Sequence, residues 1–530
     1  MTIGISTKTR LIPRPRNAYV PLIALFVAFG SLSYGYVSSV FGALLGVPSW
    51  YDYMGLDIQG SYTNAIIGTV NGVYSAGGAL GCGFNIWSSE YYGRKRGLQI
   101  GSLIATIGAI ISTASVNIPM FVVSRFIMLT YPIGELVTLV PLYQAEIAPA
   151  DSRGFMVGMH GVLIGTAYCL SCFVTYGCSF AKYGQFQWRF PLGVQIAPTA
   201  ILFFGSFALP YSPRWLMSQG QDDKAWDTLR RLHASKSDTH DTYAHAEFRQ
   251  IREQINFERR HNVVGPWGQA RLTFRTKSLM RRLGLGFLVQ FGNMCTGSLV
   301  ISNYSARIFA TLGLKDHMPL LMLRLAVEDI CVGDPCYTAP KHVIVDSMGL
   351  VIGIVGLIVC LAGEAAMTAR FVETGSTNKV GLGFGVFFIF LFVLFYSGFC
   401  DATMYIIPSE IFPMVVRSFG ISFSVMGQFL ATVILLEVAP TAFSNIGYKF
   451  YIILIALSVV YWLLVYFYLP ETKGKTLEDM GILFGDEINL SFEEAVLEEE
   501  AAEAADVEKE KGMARAETHE NMIFTKDGKN

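Results

Sequence analysis

One charged segment occurs twice in this chain, each time at the end of a long apolar run. Each copy places a glutamate, then a proline three residues later and an arginine seven residues later: Glu146, Pro149 and Arg153, then Glu410, Pro413 and Arg417. A weaker repeat relates the run that starts at Glu90 to the run that starts at Asp346. These repeats predict a duplicated protein in which each half ends a central helix on a charged segment.

The apolar runs around these segments indicate a membrane protein. Charged residues make up 15% of the chain and hydrophobic residues 52%, whereas soluble proteins average about 25% charged residues. A membrane-spanning helix takes roughly 20 apolar residues and satisfies its own backbone hydrogen bonds. We therefore predict an all-α membrane protein of twelve transmembrane helices in two pseudo-symmetric six-helix bundles. A net charge of −1 gives no indication of nucleic-acid binding.

The basic residues predict the orientation of the spans. Most of them fall on one side when twelve spans are threaded, and the positive-inside rule makes that side cytoplasmic. The expected organisation is a cytoplasmic N-terminus (1–18), a first bundle (19–210), a cytoplasmic linker with short helices (211–282), a second bundle (283–469) and an acidic, largely disordered cytoplasmic tail (470–530). Amphipathic helices are expected in the linker at 222–233 and 244–260. The plasma membrane is the expected location.

The eighth predicted span, residues 319–345, is unusually polar. It contains Arg324, Glu328, Asp329, Asp334 and Lys341, and an ionisable residue at mid-bilayer costs roughly 2.5–3.5 kcal/mol on insertion scales. The segment either lines water, inserts imperfectly or reflects a faulty gene model.

The nine cysteines do not form a disulfide framework, because most lie within apolar runs, where cysteine packs as a small hydrophobe. Cys169 and Cys172 form a C-x-x-C on a membrane helix without a second pair or a histidine cluster, which favours helix packing over metal binding. No cofactor and no metal are expected. No phosphate-binding glycine loop or nucleophile–base pair indicates an enzyme.

Several charged residues are predicted to meet at the cytoplasmic face. Ion pairs of this kind are weak in isolation, but between packed helices they can hold one side of a duplicated transporter shut while access alternates around a central site. Charges that only set the orientation of the spans would explain the basic run at 94–96. They would not explain why an acid recurs at the same spacing from an arginine in both halves. The predicted cytoplasmic gate comprises Glu90, Arg94, Lys95, Glu146, Arg153, Arg214, Glu410, Arg417 and Glu471.

Together these motifs resemble the sugar porter family of the major facilitator superfamily, and most of all its fungal members. P-x-Y-x-x-E-x-A-P-x-x-x-R-G, P-x-S-P-R-W-L, E-I-F-P-x-x-x-R and P-E-T-K-G occur in the family's order between about residues 20 and 480. The resemblance implies a twelve-helix facilitator for a sugar or polyol, often moved with a proton. The implied partners are that small solute and the bilayer; the oligomeric state stays open.

The chain departs from the family where the resemblance implies proton coupling. The family has an acid after Gly-Tyr in the first helix, and this chain has Val37, although the arginine that faces it is retained as Arg125. Two other acids are candidate proton carriers: Glu135, about three turns beyond Arg125, and Asp401 in the tenth helix. Ionisable residues inside a membrane are functional candidates by default. For Glu135, a structural salt bridge or hydrogen bond is an equal alternative.

The family's sugar-binding positions are also altered. The resemblance leaves amides and aromatic residues as the predicted solute site: His160, Tyr168, Asn293, Asn303, Tyr304, Tyr405 and Gln428. A lone amide in a membrane helix can equally hydrogen-bond to a neighbouring helix. For His160, an interior histidine with its hydrogen bonds satisfied is favoured over a proton carrier, although its helix faces the predicted cavity.

The expected function is transport of a sugar or polyol by alternating access, as proton-coupled symport. The alternatives are a transporter-like nutrient receptor, a passive uniporter of the same solutes and a decayed, non-transporting copy. The solute and the direction of transport stay open.

Overall fold

The computed structural model describes residues 19–57, 60–128, 132–148, 153–234, 241–260, 265–311, 347–374, 378–470 and 484. The helices of the first half are α1 Tyr19–Val27, α2 Phe29–Leu44, α3 Pro48–Met54, α4 Ser61–Tyr91, α5 Arg94–Thr113, α6 Ile118–Met128, α7 Gly134–Ile147, α8 Arg153–Ser179, α9 Gly184–Val194 and α10 Ile196–Ser206. The linker forms α11 Pro213–Ser218, α12 Asp222–His233, α13 Thr242–Arg260 and α14 Pro266–Arg275. The second half forms α15 Lys277–Cys295, α16 Ser298–Thr311, α17 Ser347–Met367, α18 Lys379–Phe395, α19 Ala402–Ile411, α20 Arg417–Ile446 and α21 Lys449–Tyr468.

The predicted all-α membrane fold is confirmed. Within the described residues, seven helical segments are long and apolar enough to cross a bilayer: Tyr19–Leu44, Gly158–Ser179, Lys277–Ser305, Met348–Val372, Lys379–Ile411, Arg417–Ile446 and Lys449–Tyr468. The helix α4, the helix α5 and the pairs α6–α7 and α9–α10 account for four further predicted spans. The polar eighth span, 319–345, lies outside the described residues.

Each copy of the repeated charged segment lies where two consecutive spans join. In the first half, α7 ends at Ile147 and α8 begins at Arg153. In the second half, a 3₁₀ turn (Met414–Val416) separates α19 from α20, which begins at Arg417. A proline follows each glutamate by three residues, and proline removes a backbone donor and stops the helix. The repeat therefore places charged side chains at matching corners of the two halves.

The two halves contact each other at both ends of the bundle, chiefly through α4 and α20. At the end where α4 stops, Asn85 Nδ2 donates to Ser422 Oγ at 3.0 Å, and the hydroxyls of Ser89 and Ser418 lie 3.2 Å apart. We call this the charged end. At the opposite end α4 lies so close to α20 that a Cβ on Gly68 would be 3.2 Å from the carbonyl oxygen of Glu437. Small residues permit such close approach in membranes.

The linker folds into a small helical unit on the charged end. Its apolar cluster includes Trp215, Met217, Ala225 and Ile255, which are all buried. The amphipathic helix predicted at 222–233 is α12, and the one predicted at 244–260 is α13, which begins at Thr242. The next span begins at Lys277, ahead of the predicted boundary at 283. Four short helices, α11 to α14, thus lie in the described residues between the two halves.

Candidate functional site

A cavity lies between the two halves, within the membrane-spanning helices. Its empty space is at most about 450 Å³, a volume that includes space open to solvent. Residues of both halves line it: Tyr34, Ser38, Phe41, Val70, Asn71, Tyr74, Arg125 and Tyr168 from the first, and Leu299, Asn303, Gln428, Phe429, Thr432 and Leu436 from the second. A few polar groups in an otherwise apolar and aromatic wall are typical of a small-molecule site.

Three of the predicted solute-binding residues line this cavity. Gln428 donates through Nε2 to the Tyr34 hydroxyl at 3.4 Å, while its Oε1 has no hydrogen-bond partner among the described residues. Asn303 donates through Nδ2 to Leu299 O at 3.0 Å, and an amide oxygen can accept hydrogen bonds from hydroxyl groups. Tyr168 contributes an aromatic side chain. Amides from one half therefore face aromatic rings from the other.

The remaining predicted solute residues lie around the cavity rather than on its surface. Tyr304 links the halves, because its hydroxyl donates to Leu436 O and accepts from Asn71 Nδ2, both at 2.9 Å. The ring of His160 packs against Tyr405 at a centroid distance of 5.0 Å, and its Nδ1 lies 2.7 Å from Ser31 Oγ.

Asn293 bonds within its own half: its Nδ2 lies 3.0 Å from Met404 Sδ and 3.5 Å from the Tyr396 hydroxyl. Helix packing therefore occupies the amide nitrogen, whereas Oδ1 has no hydrogen-bond partner among the described residues.

Arg125 lies against the cavity with its charge incompletely compensated. The side chain is 1% exposed, and its Nη1 donates to Val37 O at 3.0 Å. The guanidinium carbon lies 5.3 Å from the ring centroid of Phe41 and 5.4 Å from that of Phe121. Its Nε and Nη2 have no hydrogen-bond partner in the described part of the chain. A buried arginine is thus held by aromatic faces and one carbonyl.

The two candidate proton carriers lie in different places. Glu135 accepts a hydrogen bond from Ser88 Oγ at 3.0 Å and packs against Gly97 near the start of α5. No ion pair joins Glu135 to Arg125 in the described ranges, so the structure does not bring these two predicted partners together. Asp401 ends a π-helical turn (Tyr396–Asp401) and lies close enough to Tyr405 for an electrostatic interaction. Asp401 therefore lies near Tyr405, one of the residues around the cavity.

Several of the predicted gate residues meet in a second pocket, at the charged end. Arg94 donates to Glu146 Oε1 through Nε at 3.0 Å and through Nη2 at 2.7 Å. It also contacts Glu90 Oε1 at 3.3 Å and Ser89 O at 2.8 Å. The side chains of Arg94 and Glu146 are only 4% and 8% exposed. The pocket is also lined by Arg214 from the linker and Arg417 from the second half, so charges of both halves converge there.

The linker packs directly on this charged cluster. Trp215 Nε1 donates to Glu90 O at 3.0 Å, and its ring covers Gly93, where φ is +82° and a Cβ would come within 2.7 Å of the indole. Lys95 donates through Nζ to Phe207 O at 2.9 Å and lies over the Tyr211 ring. A glycine is needed at 93 on both counts.

The other predicted gate residues are described less fully. Glu410 is half-buried at the end of α19. The side chain of Arg153 and the whole of Glu471 lie outside the described residues.

Sequence reasoning missed part of the cavity wall. Tyr34, Ser38, Asn71 and Tyr74 line the cavity, and the hydroxyls of Ser38 and Tyr74 are hydrogen-bonded to each other. Each pair on one helix is three or four residues apart, so each presents one polar face on an apolar span. That spacing was a usable signal. Glu364, 2% exposed within α17, was also missed, although an acid inside an apolar span is itself a usable signal.

Comparisons with known proteins cover most of the chain. A family model described as sugar (and other) transporter matches residues 23–484. The MFS-type transporter criB of Aspergillus cristatus is 30% identical over 80% of this chain and 85% of its own length. The MFS glucose transporter mfs1 of Aspergillus flavus is 27% identical over 87% of this chain and 88% of its own length. The quinate permease of Emericella nidulans is 26% identical over 89% of this chain and 90% of its own length.

Solved structures share the fold. The proton:xylose symporter XylE, solved with 6-bromo-6-deoxy-D-glucose, superimposes with a TM-score of 0.73 at 22% identity, covering 88% of this chain and 99% of that one. The inward-open XylE of E. coli gives a TM-score of 0.67 at 20% identity, covering 88% of this chain and 100% of that one. The arrangement of the helices is thus that of a major facilitator.

Proposed function

Because the chain belongs to the sugar (and other) transporter family, we propose that it carries a small polyhydroxylated solute, a sugar or a polyol, by alternating access in symport with protons. Proteins of this family are multi-pass membrane transporters rather than enzymes. The observation that carries the proposal is the cavity between the halves, with contacts between the halves at both of its ends. In alternating access, one set of such contacts breaks to admit the solute while the other set holds.

The named relatives support the solute class. One is a glucose transporter and another a quinate permease, and the structural neighbour is a proton:xylose symporter. All three names refer to small molecules rich in hydroxyl groups, which need several hydrogen-bonding partners and an aromatic or apolar wall. Gln428, Asn303 and Tyr168 supply these in the cavity.

The role proposed for each predicted site residue follows from its position relative to the cavity. We assign direct solute contact to Tyr168, Asn303 and Gln428, and support of the cavity wall to those that lie behind it: His160, Asn293, Tyr304 and Tyr405. Asp401 and Glu135 remain the proposed proton carriers. The charged end is the proposed cytoplasmic side of the plasma membrane, because the basic residues concentrate there.

The direct test is uptake of labelled solutes by cells that lack their own hexose carriers. The wild-type protein is expected to accumulate at least one sugar or polyol of a panel, and a protonophore is expected to lower the plateau of accumulation. Uptake whose plateau is unchanged by the protonophore would indicate a uniporter. Binding without uptake would indicate a receptor, and neither binding nor uptake would indicate a decayed copy.

Replacement of Gln428 by alanine is expected to raise KM for the transported solute about two- to tenfold, with kcat little changed. The reason is that one hydrogen bond to a solute hydroxyl is lost, worth about 0.5–1.5 kcal/mol. Initial rates over a range of solute concentrations measure the effect. Gln144→Ala is the matched control, because this buried amide donates to Ala24 O at 2.9 Å, away from the cavity. Equal KM values for Gln428→Ala and wild type would place the solute elsewhere.

A further inference from the structure

We propose that the cavity selects a hydroxylated monocarboxylate, whose carboxylate pairs with Arg125. This inference rests on the proposed function and narrows its solute class. Arg125 is the only residue with a permanent charge among those described as lining the cavity, and no acid lines it with them. The cavity wall therefore carries one positive charge that no side chain of the described wall balances.

The uncompensated charge calls for a partner. A buried charge without a counter-ion is strongly destabilising, and ionisable residues within membrane spans usually pair or mark a substrate path. The contacts of Arg125, which are one backbone carbonyl and the faces of Phe41 and Phe121, orient the guanidinium without neutralising it. An anion in the cavity would supply what is missing.

The two free donors have the geometry that a carboxylate needs. Nη1 is used by Val37 O, whereas Nε and Nη2 are both without a partner in the described structure. Nε–H and one Nη2–H lie on the same edge of the planar guanidinium and point in parallel. A carboxylate binds such an edge through two parallel hydrogen bonds. The free edge of Arg125 is thus the one suited to bidentate binding.

The rest of the wall suits the hydroxyl groups of the same molecule. Tyr34, Tyr74 and Asn71 come from the first half, and Gln428 and Asn303 from the second. These groups both donate and accept hydrogen bonds, as hydroxyls require, and none carries a charge. One cation with several neutral polar groups matches a ligand with one carboxylate and several hydroxyls. The relatives' names include a neutral solute of this kind, glucose, and a carboxylated one, quinate. The positive charge of Arg125 favours the carboxylated solute.

The test compares solutes that differ in the carboxylate alone. Purified wild-type protein is titrated with quinate and with quinate methyl ester, and with D-glucuronate and D-glucose, and binding is read from ligand-induced thermal stabilisation. The same four compounds compete for uptake in cells. Each carboxylate is expected to bind at least about tenfold more tightly than its neutral partner, which corresponds to one good ionic contact. Arg125→Gln is expected to bring each ratio close to one, and Arg125→Lys to restore part of it.

A second pair of variants keeps the inference falsifiable if Arg125→Gln does not fold. Val37 lies beside the guanidinium, so Val37→Asp supplies an internal carboxylate that competes with the solute's own. We expect the preference for carboxylates to fall about tenfold or more in Val37→Asp and to persist in Val37→Asn, which has the same size without the charge.

The outcomes separate this inference from the proposed function. If D-glucose binds and is transported as well as D-glucuronate, and neither Arg125 nor Val37 variants change the ratios, the carboxylate proposal is wrong and sugar transport stands. If none of the four compounds nor any member of the sugar and polyol panel binds or is transported, both proposals fall. Binding of the carboxylates without transport would support the site and overturn the transporter.

Discussion

Replacement of Glu146 by glutamine is expected to open the charged end and to destabilise the protein by about 3 kcal/mol. Arg94 is 4% exposed and donates two of its hydrogen bonds to Glu146, and removal of one partner leaves a buried charge uncompensated. The expected loss of stability lies at the lower end of the usual range because Glu90 still contacts Arg94. The pocket would then hold three arginines and one glutamate. Their repulsion pushes Arg417 of the second half away from the first.

Two measurements check this result. The apparent melting temperature of the purified protein reports the loss of stability. A cysteine placed at Ser422, which is 1% exposed and bonded to Asn85 across the halves, reports opening through a higher rate of labelling. The protein that keeps Ser422 gives the background labelling of the native cysteines. The double variant Arg94→Met/Glu146→Gln removes both charges and is expected to recover part of the stability.

Asp222→Asn is the matched control. It breaks an ion pair of 2.8 Å with Arg252 in which the two side chains are about half exposed, and exposed pairs contribute only about 0–1 kcal/mol. Little change in melting temperature or labelling is expected. If Glu146→Gln behaves like this control, the charged cluster sets topology only and does not gate.

Replacement of Gly68 by leucine is expected to stop transport by preventing closure at the opposite end. A Cβ at this position would already lie 3.2 Å from the Glu437 carbonyl oxygen, and three further carbon atoms have no room between α4 and α20. Overpacking of this kind costs about 1–3 kcal/mol, and each 1.4 kcal/mol shifts an equilibrium tenfold. Because the strain lies between the halves, it penalises the closed state and leaves each bundle's own packing intact. Uptake is expected to fall at least about tenfold.

Gly83→Leu on the same helix is the control for this variant. A Cβ at Gly83 would meet no atom within 4 Å, so the added side chain is accommodated and uptake is expected to stay near wild type. A cysteine at Thr432, buried in the cavity wall, should be labelled faster by an impermeant reagent in the Gly68→Leu background. Normal uptake by Gly68→Leu would show that this contact is dispensable.

Much of the fold followed from local features of the sequence. Apolar runs of sufficient length predict spans, and repetition of Glu146 and Arg153 as Glu410 and Arg417 predicts two related halves. The polar spacing of Asn71 and Tyr74 would have extended the prediction to the cavity wall. These inferences work because hydrophobicity, helix breaking by proline and residue spacing are properties of neighbouring residues.

The roles of individual polar residues did not follow in the same way. Asn293 and Gln428 are both buried amides in apolar spans, but Asn293 is bonded within its own half, whereas Gln428 faces the cavity and bonds to Tyr34 of the other half. Glu135 precedes Glu146 on the same helix, yet only Glu146 reaches Arg94. Nothing local distinguishes the members of these pairs.

The apolar runs and the repeated charged segments are enough to predict a duplicated helical protein that spans a membrane, and the family resemblance adds that Arg125 lacks the acid expected opposite it. Which side chains line the cavity, Arg125 among them, could be seen only in the tertiary structure. The tertiary structure also shows that Glu146 is bonded to Arg94, 52 residues away. The physical reason is that a helix presents its side chains around its whole circumference. Which of them meet is set by the rotation and contact of helices distant in the chain.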